Sequence, residues 1–501
     1  MKVVTPAVLS LRGRLGFLLK DSVLYGGAAA VSKAFALITF PLLARYFSLA
    51  EYGVLDFFLV LSGFLVTLFV FGQDSAVARF FYELEDADER RQVISQSLAF
   101  QLLGLLLLLP PLWWGGAWMP RFFIEFDDVE WLFRIVLLQL PLLLLINFSQ
   151  NLLKWTFARA RFLIMSLGYT LVQAGLLLVA VLVLGVGIQG VLLVSLCTSL
   201  LFGMLGLYFV RGWLSRPKSF RRLREMLPFA IPYGVICVVA AFSPALERSL
   251  TDQLLGAEDL GLYAAGTKIA MLVGMVVSAF QTAWGPFSLS LYKQSEAAQT
   301  YNWVLKIFAL GMCMLTLALT LVARPLIHLL ASDRYSGAAE LVFPLAMGLA
   351  IQATGWITEI GIGIAKRSYL NLYAYGVALA ATLGGILLLA PALGLMGVGL
   401  GVMIGHVARA SMSSWLAQQA YPLPWRYRPV LAVFGLTLLF GVAAAWARQR
   451  WGMQAQTSIL MLGLLTTAIA GWHILFARAE QEHLLDIMRG YQQRLRLFSR
   501  D

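Results

Sequence analysis

Fourteen apolar runs, most of about 20 residues, follow one another from residue 22 to residue 477 with only short polar punctuation between them. Wound as an α-helix, such a run matches the ~30 Å hydrocarbon thickness of a bilayer. The expected spans are about 22–45, 53–73, 94–114, 131–150, 163–184, 188–210, 229–250, 261–283, 302–323, 338–364, 369–390, 394–418, 430–447 and 456–477. They are long and rich in Leu, Val, Ala and Gly, whereas a membrane barrel needs short alternating segments, so helices satisfy the backbone in lipid. The expected fold class is all-α, a polytopic membrane protein of about 14 transmembrane helices. With 60% hydrophobic and 13% charged residues, the chain lies outside the balance of soluble proteins. No large soluble domain fits between the spans, so whatever the chain does is built into the bundle.

Lysine and arginine set the expected direction of the spans. With both termini inside, 26 Lys and Arg fall in cytoplasmic segments, including "KWTFARAR" (154–161), "RGWLSRPKSFRRLRE" (211–225) and five Arg after residue 477, against a handful outside. The net charge of +12 therefore reads as a topology signal, and nucleic acid is not an expected partner. The N-terminal stretch carries Lys2, Arg12, Arg14 and Lys20 without a compact h-region and cleavage site, and reads as a retained cytoplasmic leader. Segments 78–95 and 477–500 read as amphipathic interfacial helices. Cys197, Cys237 and Cys313 fall inside apolar spans, where a thiol packs as a small hydrophobe; no metal site and no cofactor is expected.

An internal repeat runs through the spans. "SLAEYGVL" around Gly53 returns as "GAEDLGLY" around Gly261, and Gln73 meets Gln281 at the same separation of 208. "LGVGIQGVLL" (184–193) resembles "LGLMGVGLGV" (393–402), with Gly185 and Gly190 meeting Gly394 and Gly399. The unit is six helices, an even number, so the halves are parallel repeats about an axis along the membrane normal. The expected organisation is a leader (1–21), an N-lobe of spans 1 to 6 (22–210) and a basic linker (211–228). A C-lobe of spans 7 to 12 (229–418), two added spans (419–477) and an amphipathic tail (478–501) follow. Two pseudo-symmetric lobes facing each other would enclose a central cavity. Gly397 and Gly401, in GxxxG spacing, predict close helix contact.

Charges inside spans are expensive and normally face protein or water. They are Lys33, Asp56, Arg134, Glu247, Arg248, Lys268, Glu359, His406 and Arg409, while Arg45 and Lys306 lie near span ends and are expected to snorkel. The deeper set leans cationic, so Lys33, Arg134, Lys268 and Arg409 are the expected binding residues for an anionic substrate, phosphate or diphosphate suiting Arg and Lys best. Internal pairing, such as Arg45 with Asp56 or Lys268 with Glu247, is the competing explanation. Asp56, Glu359 and His406 are the candidate ion-coupling groups, with H+ or Na+ as the ion.

The stretch "LYGGAAAVSKAFALITFPLLARYFSLAEYGVLDFF", with "DSAVARFFYELEDADERR" and "ERSLTDQLLGAEDLGLYAAGTKIA", resembles the polysaccharide-transport flippases of the multidrug/oligosaccharidyl-lipid/polysaccharide exporter superfamily. The resemblance covers spans 1 to 12 and rests on patterns around Gly53, Arg79 and Gly261. It implies an alternating-access flippase moving a polyprenyl-diphosphate-linked oligosaccharide across a bacterial inner membrane, with membrane lipids and polysaccharide polymerase or assembly proteins as partners. A flippase for the lipid-linked peptidoglycan precursor is the nearest alternative, followed by a multidrug antiporter, whose carboxylate-rich cavity fits the cationic bias poorly. An integral-membrane polymerase or ligase would carry a large outer catalytic loop, which is not expected here.

Overall fold

The computed structural model describes residue 31 and residues 39–482, apart from 116, 117, 293, 295, 366 and 479. Among the described residues thirteen helices are long and apolar enough to cross a membrane. They are α1 (Leu49–Val70), α3 (Ala87–Gly115), α4 (Val129–Trp155), α5 (Arg159–Leu182), α6 (Ile188–Val210), α7 (Arg221–Leu255) and α8 (Ala257–Leu291). The set continues with α9 (Ala297–Leu330), α10 (Ala339–Thr358), α11 (Leu370–Leu393), α12 (Leu395–Ala420), α13 (Tyr427–Trp451) and α14 (Met453–Leu475). A shorter helix, α2 (Gln73–Glu83), joins α1 to α3. Each of the thirteen coincides with one expected span, and the chain is a multi-pass membrane protein. The first expected span lies largely outside the described residues; its last part, 39–46, is helical.

The corner "SLAEYG" is a capping box. Ser48 Oγ accepts from the Glu51 backbone N–H at 3.2 Å, and the Glu51 carboxylate accepts from Ser48 N–H at 2.9 Å. Two orphan amides are thereby satisfied and α1 starts without fraying. α1 is apolar on almost every side, with Val54, Leu55, Phe57 and Phe58 fully buried, which marks a helix surrounded by protein. It packs against α4 of its own repeat and against α7 and α8 of the second. At its far end Phe71 and Gly72 take positive φ (43° and 71°), turning the chain into α2.

The repeat is visible in the packing. α6 packs against both α4 and α5 in the first unit, and α12 packs against both α10 and α11 in the second. Gly185 and Gly394, matched by the repeat, both have positive φ (63° and 57°) in the turns before α6 and α12. Close contact at the GxxxG pair is also present: a methyl on Gly401 would come 2.5 Å from the Ile386 nitrogen of α11. α13 and α14 pack on each other and on α9.

Candidate functional site

The two glycines that mark the repeat touch each other. A methyl on Gly53 would come within 2.6 Å of the Gly261 nitrogen, and one on Gly261 would overlap the Leu49 carbonyl. Hydrogen in place of a side chain therefore lets α1 and α8 meet backbone to backbone. Asp56 lies three residues after Gly53 and Lys268 seven after Gly261, so each shares the face its glycine presents to the other repeat.

Asp56 is the centre of the contact, with 1% of its surface exposed. Arg248 of α7 donates from Nε to Asp56 Oδ2 at 2.7 Å and from a terminal nitrogen to the Pro244 carbonyl at 3.0 Å. Lys268 Nζ of α8 lies 2.9 Å from Asp56 Oδ1. One carboxylate of the first repeat thus binds two cations of the second. Alongside, Glu247 accepts from Tyr263 Oη at 2.7 Å and from Ser243 Oγ at 2.9 Å. Asp56, Glu247, Arg248 and Lys268 sum to zero formal charge, which is what makes such a set tolerable away from water.

Further ties between the first-repeat corner and the 329–335 connection reinforce this end. Arg45 donates to the carbonyls of Ala331 at 2.9 Å and Leu329 at 2.6 Å, and Tyr52 meets Tyr335 edge-on at 5.9 Å. Arg45 is thus held by carbonyls rather than by Asp56, and Lys268 is paired with Asp56 rather than Glu247.

The other expected residues occupy different places. Arg409 of α12 lies 3.8 Å from Glu359 at the end of α10, with Tyr375 and Trp356 around its guanidinium at 4.2 and 5.3 Å. Both partners belong to the second repeat, and Arg409 Nε and Glu359 Oε2 are buried without a hydrogen-bond partner. His406, one turn earlier on α12, packs its ring against Gly348. Arg134 of α4 lies 5.8 Å from the Trp113 ring and lines a cavity of about 570 Å³ with Arg121, Glu125, Asp127, Asp128 and Glu130. Lys33 lies outside the described residues. Lys268 and Asp56 are therefore brought together, Arg409 and Glu359 form a second cluster, and Arg134 stands in a third place.

Lys306 corrects its expected role. It is 3% exposed and binds both carboxylate oxygens of Glu480 at 2.9 Å, rather than snorkelling. Burial raises the Glu480 carboxyl, but Lys306 and the Ala477 N–H outweigh it and hold that carboxyl below its ordinary range. The chain beyond α14 is tied in this way to α9.

The sequence profile of a family described as "Polysaccharide biosynthesis protein" matches residues 18–292, more than half of the chain. Protein 1 of the Lsg locus of Haemophilus influenzae is 23% identical over 304 residues, covering 58% of this chain and 71% of that protein. In fold, the chain is similar to the lipid II flippase MurJ in an inward closed conformation (TM-score 0.71, 14% identity, 91% of this chain and 100% of that one). It is also similar to an inward-facing MATE multidrug resistance transporter of the MOP superfamily (TM-score 0.61, 15% identity, 77% and 94%). With the MOP transporter fold and a family match across its first repeat and the start of its second, the chain belongs to the polysaccharide biosynthesis protein family.

Proposed function

We propose that this chain is an alternating-access flippase that carries a polyprenyl-diphosphate-linked oligosaccharide from the cytoplasmic to the outer leaflet of a bacterial inner membrane, with both termini cytoplasmic. The observation that carries this reading is the Asp56 cluster: a buried carboxylate of one repeat holding two cations of the other, beside a glycine–glycine contact at the same end. On the topology expected from the basic segments this is the outer end, so the cluster acts as the outer gate. The paired charges then have a transport role. A diphosphate presents several acceptor oxygens and at least two negative charges, and competes with Asp56 for the Arg248 fork and the Lys268 ammonium. Binding substrate would weaken the gate that separates it from the outer leaflet, a differential affinity of the kind alternating access needs. Lys33, Arg134 and Arg409 are retained as further anion contacts, and Glu359 and His406, around Arg409, as groups for H+ or Na+ coupling. The two cations held at Asp56 suit an anionic rather than a cationic substrate, and the family match favours a surface-polysaccharide precursor over lipid II.

The test is the lipid fraction of cells lacking the chain. Diphosphate-linked oligosaccharide is expected to accumulate while surface polysaccharide is lost, and the wild-type chain restores both. Accumulation of the peptidoglycan precursor instead, or unchanged surface polysaccharide, overturns the proposal.

A further inference from the structure

Away from the gate, a cavity of about 310 Å³ opens where the start of α3, the start of α5 and the end of α6 meet. Its walls are Arg91, Arg161 and Arg211 with Tyr208, Phe209 and Trp213, and among the described residues no carboxylate lines it. Trp213 is fixed as a wall by its edge-on contact with buried Phe81 at 5.6 Å. The three guanidinium groups are only lightly engaged. Arg211 stacks over Tyr208 at 4.3 Å, Arg161 donates to the Phe209 carbonyl at 3.3 Å, and Arg91 has an exposed partner in Asp88 at 3.3 Å. Such exposed pairs are weak and leave the forks available.

We infer that this cavity binds the phosphate headgroup of an anionic glycerophospholipid in the adjacent leaflet. All three helix ends lie at the face that carries the basic segments, where aromatic residues and arginines occupy the headgroup level. The surface leading away from the cavity fits the rest of such a lipid. Leu200, Met204 and Tyr208 are exposed and spaced four apart, with Leu201 beside them, so they form one apolar stripe on α6 running from the cavity toward the membrane centre. Phosphate meets the arginines while acyl chains lie along the stripe. Three cations, of which among the described residues only Arg91 has a carboxylate partner, the exposed Asp88, select a net-negative headgroup over a zwitterionic one, whose ammonium would face guanidinium. The site does not depend on what the bundle carries, because none of the four gate residues, Asp56, Glu247, Arg248 and Lys268, lines it.

Native mass spectrometry of the full chain, offered equal phosphatidylglycerol and phosphatidylethanolamine, tests the assignment. Wild type is expected to retain one phosphatidylglycerol preferentially, and millimolar inorganic phosphate is expected not to displace it. At about fivefold per arginine, R91Q/R161Q/R211Q lowers that affinity on the order of a hundredfold. R91K/R161K/R211K, which keeps the charges, retains the preference with weaker binding. R216Q/K218Q/R224Q removes the same charge from the neighbouring linker and is expected to stay within about twofold of wild type. Equal losses from the two glutamine triples, no preference over phosphatidylethanolamine, or displacement by free phosphate would each overturn the inference.

Discussion

Asp56 has its two cations on helices of the second repeat, Arg248 being 192 positions further along the chain and Lys268 further still, and removing it leaves both without a counter-ion. Breaking a buried ion pair from one side costs about 3 to 5 kcal/mol. Asp56→Asn is therefore expected to lower thermal stability and to expose a cysteine placed at Tyr335, read by thiol labelling. The double variant Asp56→Asn/Arg248→Met should recover much of the loss, because one stranded charge goes with its partner. Asp56→Asn with wild-type stability and a shielded position 335 would show that the carboxylate is not the tie. The charge inventory is legible in the sequence, since every residue of the cluster stands out in an apolar span. The pairing is not. Neighbourhood in sequence suggests Lys268 with Glu247, yet Tyr263 and Ser243 satisfy Glu247 and leave Lys268 for Asp56. Lys306 misleads for the same reason: its partner Glu480 is 174 positions away, and nearness to a span end says nothing of it.

At the scale of helices, the α1–α8 contact rests on two glycines that admit no methyl group. Gly261→Ala or Gly53→Ala is expected to cost about 1 to 3 kcal/mol of the closed arrangement by overpacking, with a matching fall in surface-polysaccharide export. Gly63→Ala and Gly274→Ala, on the same two helices but with nothing within 4 Å, serve as controls and are expected to be neutral or slightly stabilising. Equal effects from both pairs would mean that helix propensity, not contact, governs the response. Span positions are read well from hydropathy because lipid solvates only apolar faces. Their ends are read less well: α3 begins at Ala87, seven residues before its expected start, because its first turn "ADERRQ" is polar and hydropathy cannot register it. The repeat is the more useful signal. The Gly53 and Gly261 echoes mark equivalent corners, and the structure adds that these corners meet.

At the scale of the whole molecule, the two repeats meet at one closed end, formed by α1, α7, α8 and residues 329–335. Their closure is built from separable ties: a glycine contact, one carboxylate with two cations, a tyrosine pair and an arginine on two carbonyls. Each joins different helices, so each can be removed singly and its share of the closure measured. In the proposed cycle this end has to part for substrate to leave. The direct measurement uses Tyr52→Cys/Tyr335→Cys in a chain with Cys197 and Cys237 replaced, reconstituted in vesicles with a fluorescent polyprenyl-diphosphate oligosaccharide. Joining the two cysteines with a short cleavable thiol-reactive linker is predicted to stop transfer between leaflets, and cleaving the linker to restore it. Transfer continuing at the unlinked rate while the two positions are joined would contradict the account.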